Sequence, residues 1–191
     1  MISEHDLNEA VETARTADLY DHQRNKTINE YVKKIYSSAG VAVQNYVASN
    51  NKIASNFFRR LNTQRCTYSL GNGVTFAKNT DAAKAKLGDT FDTEIYRAGY
   101  LALIHGVSFV FFNFDHIHVF PLTEFVPLWD ENDGTLRAGL RYWRIDSTKP
   151  TIAILYTEDG YRRYKSKGGY AKFEKDGEKR SYKQTISKAP A

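Results

Sequence analysis

Apolar positions along this chain change rhythm several times, and each rhythm predicts a different element. Across residues 1–20, Leu7, Val11 and Ala14 recur at helical spacing, with Ser3 and Asp6 placed as an N-terminal cap. The stripe is thin, which predicts a surface helix or one docked on a neighbouring subunit. Residues 21–26 are polar and read as a break. Thr27 and Glu30 form a capping box, in which the hydroxyl bonds an early helical amide and the carboxylate reaches back. Ile28, Val32, Ile35 and Tyr36 follow on one helical face; Gly40 interrupts, and Val43, Tyr46 and Val47 continue the period. Asn50 and Asn51 mark a second break and cap. Ile53, Phe57, Phe58 and Leu61 set the stripe of a helix over residues 51–70, with Arg59, Arg60 and Arg65 off it. Gly71, Asn72 and Gly73 end that helix, as left-handed caps do. Val74 to Phe76 reads as a short strand, and residues 80–86 as a brief helical turn.

The densest apolar run is residues 99–143. It starts as the end of a helix over residues 89–105, capped by Asp89 and striped by Phe91, Ile95, Ala98 and Ala102. Tyr100, Leu101, Leu103 and Ile104 make its last turns apolar nearly all round, which predicts burial. Gly106 breaks it. A nearly continuous apolar strand (107–114), a turn at Asp115, a shorter strand (116–120), Pro121 and an extended segment to Trp129 follow. Asn132, Asp133 and Gly134 turn the chain into a long strand ending at Trp143. Beyond it the period becomes two, with Ile152, Ile154 and Tyr156 alternating. Asp159-Gly160, Gly168-Gly169 and Asp176-Gly177 predict hairpin turns between strands over 161–167, 170–175 and 178–186. The fold class is α+β: N-terminal helices packed on a mixed or antiparallel sheet, followed by an antiparallel hairpin meander.

Composition bounds this picture. A chain of 191 residues is one domain, or one with an appendage, and 41% hydrophobic with 14% aromatic content supplies a real core. With 26% charged residues and no apolar run of about 18, it reads as soluble, with no membrane partner. The first residues are acidic and amphipathic, unlike a signal peptide. One cysteine, Cys66, rules out an internal disulfide framework and a cysteine-based zinc site, and fits synthesis in a reducing compartment. The net charge of +5 is uneven: residues 160–188 hold ten Lys/Arg against three Asp/Glu, leaving the remainder at −2. Such a tail attracts phosphate backbones, although lysines also blunt exposed strand edges. Arg162, Arg163, Lys165 and Lys167, interleaved with Tyr161, Tyr164 and Tyr170, are the candidate nucleic-acid-facing residues. No RNP-type motif or helix-turn-helix accompanies them.

Candidate chemistry is sparse. His116 and His118 lie two apart on a strand and share a face, and His105 precedes the same strand pair. With Asp115 or Glu124 they would make a zinc or iron set, but no ligand-spacing motif supports one. The bland reading is a polar outer face on a strand whose inner face is Ile117 and Val119. The glycine-rich run at Gly71 follows a helix, whereas a phosphate loop follows a strand, and no GxxxxGK[ST] exists. Cys66 has no histidine nearby in sequence and reads as a small buried residue. Asp130, Glu131 and Asp133 read as a solvated acidic turn. No cofactor, metal or catalytic residue is expected.

The order of these elements resembles the bacteriophage portal proteins, specifically those of long-tailed siphophages. Three stretches carry the resemblance. One runs from Asn51 through a helix to Tyr68-Ser-Leu-Gly-Asn-Gly-Val-Thr-Phe76. A second runs from Ile95-Tyr-Arg-Ala-Gly-Tyr100 through Gly106-Val-Ser-Phe-Val110, a helix-to-strand step. The third is Phe120-Pro-Leu-Thr-Glu-Phe-Val-Pro-Leu-Trp-Asp130 followed by Leu136-Arg-Ala-Gly-Leu-Arg-Tyr-Trp143. The resemblance as a whole covers about residues 25–186.

The resemblance implies a non-enzymatic structural subunit of a dodecameric ring at the capsid vertex of the virion, made in the bacterial host cytoplasm. Double-stranded DNA would pass through the ring during packaging and ejection. Terminase, scaffolding or capsid proteins and head-completion proteins would be partners. It divides the chain into a helical extension (1–24), the α/β core of a portal wing region (25–146) and a basic hairpin meander (147–191). A full portal is considerably longer, so the chain is expected to be a fragment or a truncated frame. The alternative is a small α+β nucleic-acid-binding module using the basic C-terminal hairpins.

Overall fold

The computed structural model describes residues 4–77, 80–130, 132–166 and 172–182. It opens with helix α1 (Glu4–Asp21), the single turn α2 (Lys26–Asn29) and a hairpin of β1 (Lys34–Tyr36) and β2 (Ala42–Gln44). Helices α3 (Phe57–Leu70), α4 (Thr80–Leu87) and α5 (Phe91–His105) follow. A second hairpin, β3 (Ser108–Phe112) and β4 (Ile117–Pro121), leads through a 3-10 turn at Leu122–Glu124 into β5 (Phe125–Trp129). Then come β6 (Leu136–Trp143), β7 (Thr151–Thr157), β8 (Gly160–Ser166), β9 (Glu174–Lys175) and β10 (Arg180–Ser181). The α+β class is as expected, and among the described residues all strand pairs are antiparallel.

Three layers position everything else. Gly106, at φ +81°, gives α5 a left-handed cap and turns the chain straight into β3. The hairpin β3–β4 therefore folds back along α5. Ile117 and Val119 on one face of β4 pack with Phe91 and Ala98 of α5, supported by Ile95 and Leu101. Ser108 Oγ donates to the Ala98 carbonyl at 2.8 Å. The opposite face of the hairpin meets the long sheet, whose order is β10-β8-β7-β6-β5. Burying one aliphatic side chain of this kind stabilises by about 1.5–3 kcal/mol, so the hairpin, packed on both faces, anchors the fold.

Helices α1 and α3 complete the helical layer. Gly99 admits α3: a Cβ there would lie 2.5 Å from Leu70 Cδ1 and 3.7 Å from Cys66 Sγ. Helix α1 is no free surface helix, because it packs on α5 and the 3-10 turn of its own chain. Its inward carboxylates do the tying: Tyr100 Oη donates to Asp21 at 2.5 Å, and His105 Nε2 lies 2.7 Å from Asp18. Ala14 of the same helix is buried, as its place in the stripe predicted.

Several expectations need correction. The helix read from Thr27 onward is only the turn α2, capped by Asn25 Oδ1 accepting from the Ile28 amide. Ile35 and Val43, placed on one helical face, are instead cross-strand partners in β1–β2. Lys34 to Tyr36 and Ala42 to Gln44 are short runs in which β-branched and aromatic side chains suit a strand as well as a helix. The next helix begins at Phe57, six residues later than its cap was read. Val74 to Phe76 is a loop; the Val74 amide donates to the Asp92 carboxylate at 2.9 Å instead of to a strand. The left-handed glycine after α3 is Gly73 (φ +75°), whereas Gly71 stays helical. Of the three hairpin turns, Asp159-Gly160 joins β7 to β8 as read, and Gly168-Gly169 lies outside the described residues. Asp176-Gly177 makes no hairpin: β9 and β10 both pair with the same edge of β8, so residues 176–179 bulge from one interrupted edge strand. Gly177 (φ +94°) permits the bulge, and the Asp176 amide donates to the Arg163 carbonyl at 3.0 Å.

Candidate functional site

The strongest concentration of side chains unused by the helical core is the seam between β3–β4 and the long sheet. Period-two alternation puts Phe109, Phe111, His118 and Phe120 on the sheet-facing side of the hairpin. They meet Phe125 of β5 and Tyr156 of β7: ring centroids lie 4.4 Å apart for Phe109–Phe125 and 4.7 Å for Phe111–Tyr156. Gly139 makes room for this contact, since a Cβ there would fall 2.1 Å from Phe125 Cζ. Tyr182, following β10, joins the stack through Phe111, Phe114 and Tyr161. Burial pushes the Tyr182 phenol up to about 12, with Tyr156 and Tyr161 adding to the shift. An open groove of about 770 Å³ runs along the seam, floored by these rings and rimmed by Asp133, Arg137 and Glu158.

Arg141 is the charge set into the seam. Its guanidinium carbon sits 4.5 Å from the ring centroids of both Phe120 and Trp143, and Nη2 is 3.5 Å from Glu124. Such cation–π contacts stabilise by about 0.5–2 kcal/mol when partly desolvated. Its place was legible in sequence only as alternation within Arg141-Tyr142-Trp143; the rings facing it were not.

The three histidines do not converge. His105 points back to Asp18 on α1, while His116 and His118 lie edge to face, 4.3 Å apart, on the seam side of β4. That side is no solvated outer face: His118 is half-buried and stacked on Phe120. Burial lowers the His118 pKa, and the neighbouring His116 and Arg141 lower it further. Asp115 bonds His116, and Glu124 faces Arg141. Among the described residues no group of three His, Cys, Asp or Glu side chains could hold a metal ion.

The other candidates have structural partners. Cys66 is buried, donates to the Tyr96 carbonyl at 3.4 Å, and has its thiol pKa raised by burial. That is the small buried residue its position suggested. Asp130 and Asp133 grip Arg137 at 3.1 and 2.9 Å and accept the turn amides of Asn132 and Thr135, which holds both carboxyls below the usual range. Glu131 lies outside the described residues.

The basic residues of β8 divide between two faces. Arg163 and Lys165 share one side of the strand, are exposed, and stand with Tyr161; Arg162 lies on the other side with Tyr164. Arg163 pairs with Asp176 at 3.1 Å. Lys167 and Tyr170 lie outside the described residues.

A region that sequence reasoning assigned to helix packing is instead open to solvent. No residue from 22 to 65 is buried. Tyr31, Ile35, Tyr36, Val43, Tyr46 and Ile53 stand exposed on an arm that closes through Lys33 Nζ to the Ser49 carbonyl (2.7 Å) and Asn50 Nδ2 to the Tyr31 carbonyl (3.0 Å). An exposed apolar surface of this extent marks an interaction site.

These features suit a protein that packs and assembles. A family model described as phage portal protein, SPP1 Gp6-like, matches residues 2–189, nearly the whole chain. A search of the curated proteins finds no match. On the family match, the chain belongs to the phage portal proteins of the SPP1 Gp6-like type, structural proteins of the virion that serve DNA packaging.

Proposed function

We propose that this chain is part of a subunit that closes into a ring at one capsid vertex, forming part of the conduit for double-stranded DNA during packaging and ejection. The match over residues 2–189 carries the reading. The exposed apolar arm supports it, because a ring subunit must present surface to its neighbours on both sides. In this reading the chain catalyses nothing. Terminase supplies ATP hydrolysis, and the whole protein meets scaffolding or capsid and head-completion proteins. Negative-stain images of the whole protein are expected to show rings; a strictly monomeric protein at every concentration would overturn the proposal.

DNA passing nearby would meet diffuse positive charge. Lys165 and Arg163 face one side of β8, Arg162 faces the other, and Lys167 continues the basic run in sequence. A self-sufficient nucleic-acid-binding module would use these residues as one patch, and the Arg163–Asp176 pair works against that use. The two readings separate by salt titration. The ring reading expects weak DNA binding by the isolated chain. Tight binding with a steep fall of log affinity against log salt would favour the module.

A further inference from the structure

We propose that the arm over residues 31–53 is a donor that seats on the groove between α1 and α3 of a second copy of this chain. The inference rests on the ring reading and names the surfaces that build it. The arm needs a cover. An isolated two-stranded hairpin is marginal in water, and β1–β2 has only three paired residues on each strand. Among the described elements, none packs substantially on it. Its apolar side chains are exposed on both sides of the hairpin: Ile35 and Val43 on one, Tyr36 on the other.

Charge and shape select the partner. Residues 26–56 contain Lys26, Lys33, Lys34 and Lys52 against Glu30, a net of +3. Residues 4–21 contain Glu4, Asp6, Glu9, Glu12, Asp18 and Asp21 against Arg15, a net of −5. The groove between α1 and α3, about 500 Å³, is floored by Ala17, Tyr20 and Phe58, and its rim holds Glu9 and Glu12 with no Lys or Arg. Arg15 pairs with Glu12, which leaves Glu9 as the rim carboxylate without an ion pair among the described residues. Leu19, Phe57 and Leu61 extend the exposed apolar surface around it. A basic aromatic arm and an acidic apolar groove are complementary. They are also different surfaces of one chain, so their contact is heterologous, the kind that closes rings. The aromatic seam groove is the competing acceptor, but its rim mixes Asp133 and Glu158 with Arg137.

Cysteine crosslinking tests this in the whole protein. Cys66 is buried, and once any cysteine of the whole protein outside these residues is replaced by serine, surface cysteines can be introduced against a quiet background. Subunits carrying Tyr36→Cys are mixed with subunits carrying Thr13→Cys, at the groove, or Leu136→Cys, at the seam, and oxidised. Expected is a crosslinked heterodimer for the Tyr36–Thr13 mixture at least tenfold above the Tyr36–Leu136 mixture. A second measurement guards against folding artefacts: Lys34→Glu and Glu9→Lys each raise the concentration for half-assembly at least fivefold, and mixing the two variants reverses the effect. Assembly that persists with no Tyr36–Thr13 crosslink overturns the inference and leaves the ring standing. A protein that stays monomeric in every mixture overturns both.

Discussion

The chain builds two antiparallel hairpins from similar residues and treats them in opposite ways. In β3–β4, Ile117, Val119 and Phe120 are 7%, 5% and 2% exposed. In β1–β2, Ile35, Val43 and Tyr36 are 51%, 48% and 72% exposed. Helix α5 ends at a left-handed glycine that lays β3–β4 along it, and the long sheet closes the other face. No such neighbour follows β1–β2, which is held at its base by polar bonds to backbone carbonyls. The first hairpin takes its stability from the domain, and the second has surface to give to a partner.

Four measurements would break or sharpen that contrast. Phe120→Ala should cost the most, about 3–5 kcal/mol, because it empties a site closed by Phe125, Tyr156 and Arg141. Urea unfolding reads it, and a loss under about 1 kcal/mol would mean the seam is looser than its ring distances imply. Gly139→Ala should cost about 1–3 kcal/mol by driving a methyl into the Phe125 ring, visible as a lowered unfolding midpoint.

The third measurement is pH. Burial holds the His118 imidazole below its ordinary value of 6.5 in the folded chain, so the unfolded chain binds the proton more readily. Its stabilising contribution is full above pH 6.5 and declines as pH falls below that value. Asp92 acts further into acid. Lys84 and the Val74 amide hold its carboxyl below 3.8, so its contribution is present above that pH and is lost as pH falls through the folded value. His118→Gln should flatten the stability profile just below pH 6.5, and Asp92→Asn should flatten it only below pH 3.8. An unchanged slope in either variant rejects that assignment.

Tyr36→Ala should have the smallest effect, within about 0.5 kcal/mol for the unassembled chain, since the side chain touches little there. A loss comparable to that of Phe120→Ala would show that the arm already has a partner within its own subunit.

Much of the fold could be read from pattern. Long periodic segments announced α1 and α5, and the alternation of Ile152, Ile154 and Tyr156 announced β7. The Asp159-Gly160 turn is where its dipeptide put it. The failures share a cause. Residues 31–47 carry branched and aromatic side chains in runs too short for period to separate helix from strand. Asp176-Gly177 has hairpin chemistry, yet the partner of the chain beyond it is β8, so the same glycine makes a bulge. The candidate site was less legible. Interleaved arginines and tyrosines on β8 looked like one patch because sequence lists neighbours without their faces. Period-two geometry sends Arg162 and Arg163 to opposite sides of the sheet.

What the sequence determined by itself is the class of elements, the apolar centre over residues 99–143, the glycine that turns α5 into β3, and the resemblance that the family match bears out. These follow from local sterics, hydrophobic period and element order, all properties of the chain read in line. Only the tertiary structure decided that this centre is a hairpin sandwiched between helices and sheet, that its three histidines do not converge, and that residues 22–65 stay open to solvent. Burial depends on which distant segments arrive at a face. That is a property of contacts, and hydrophobic period records only which face is able to receive them.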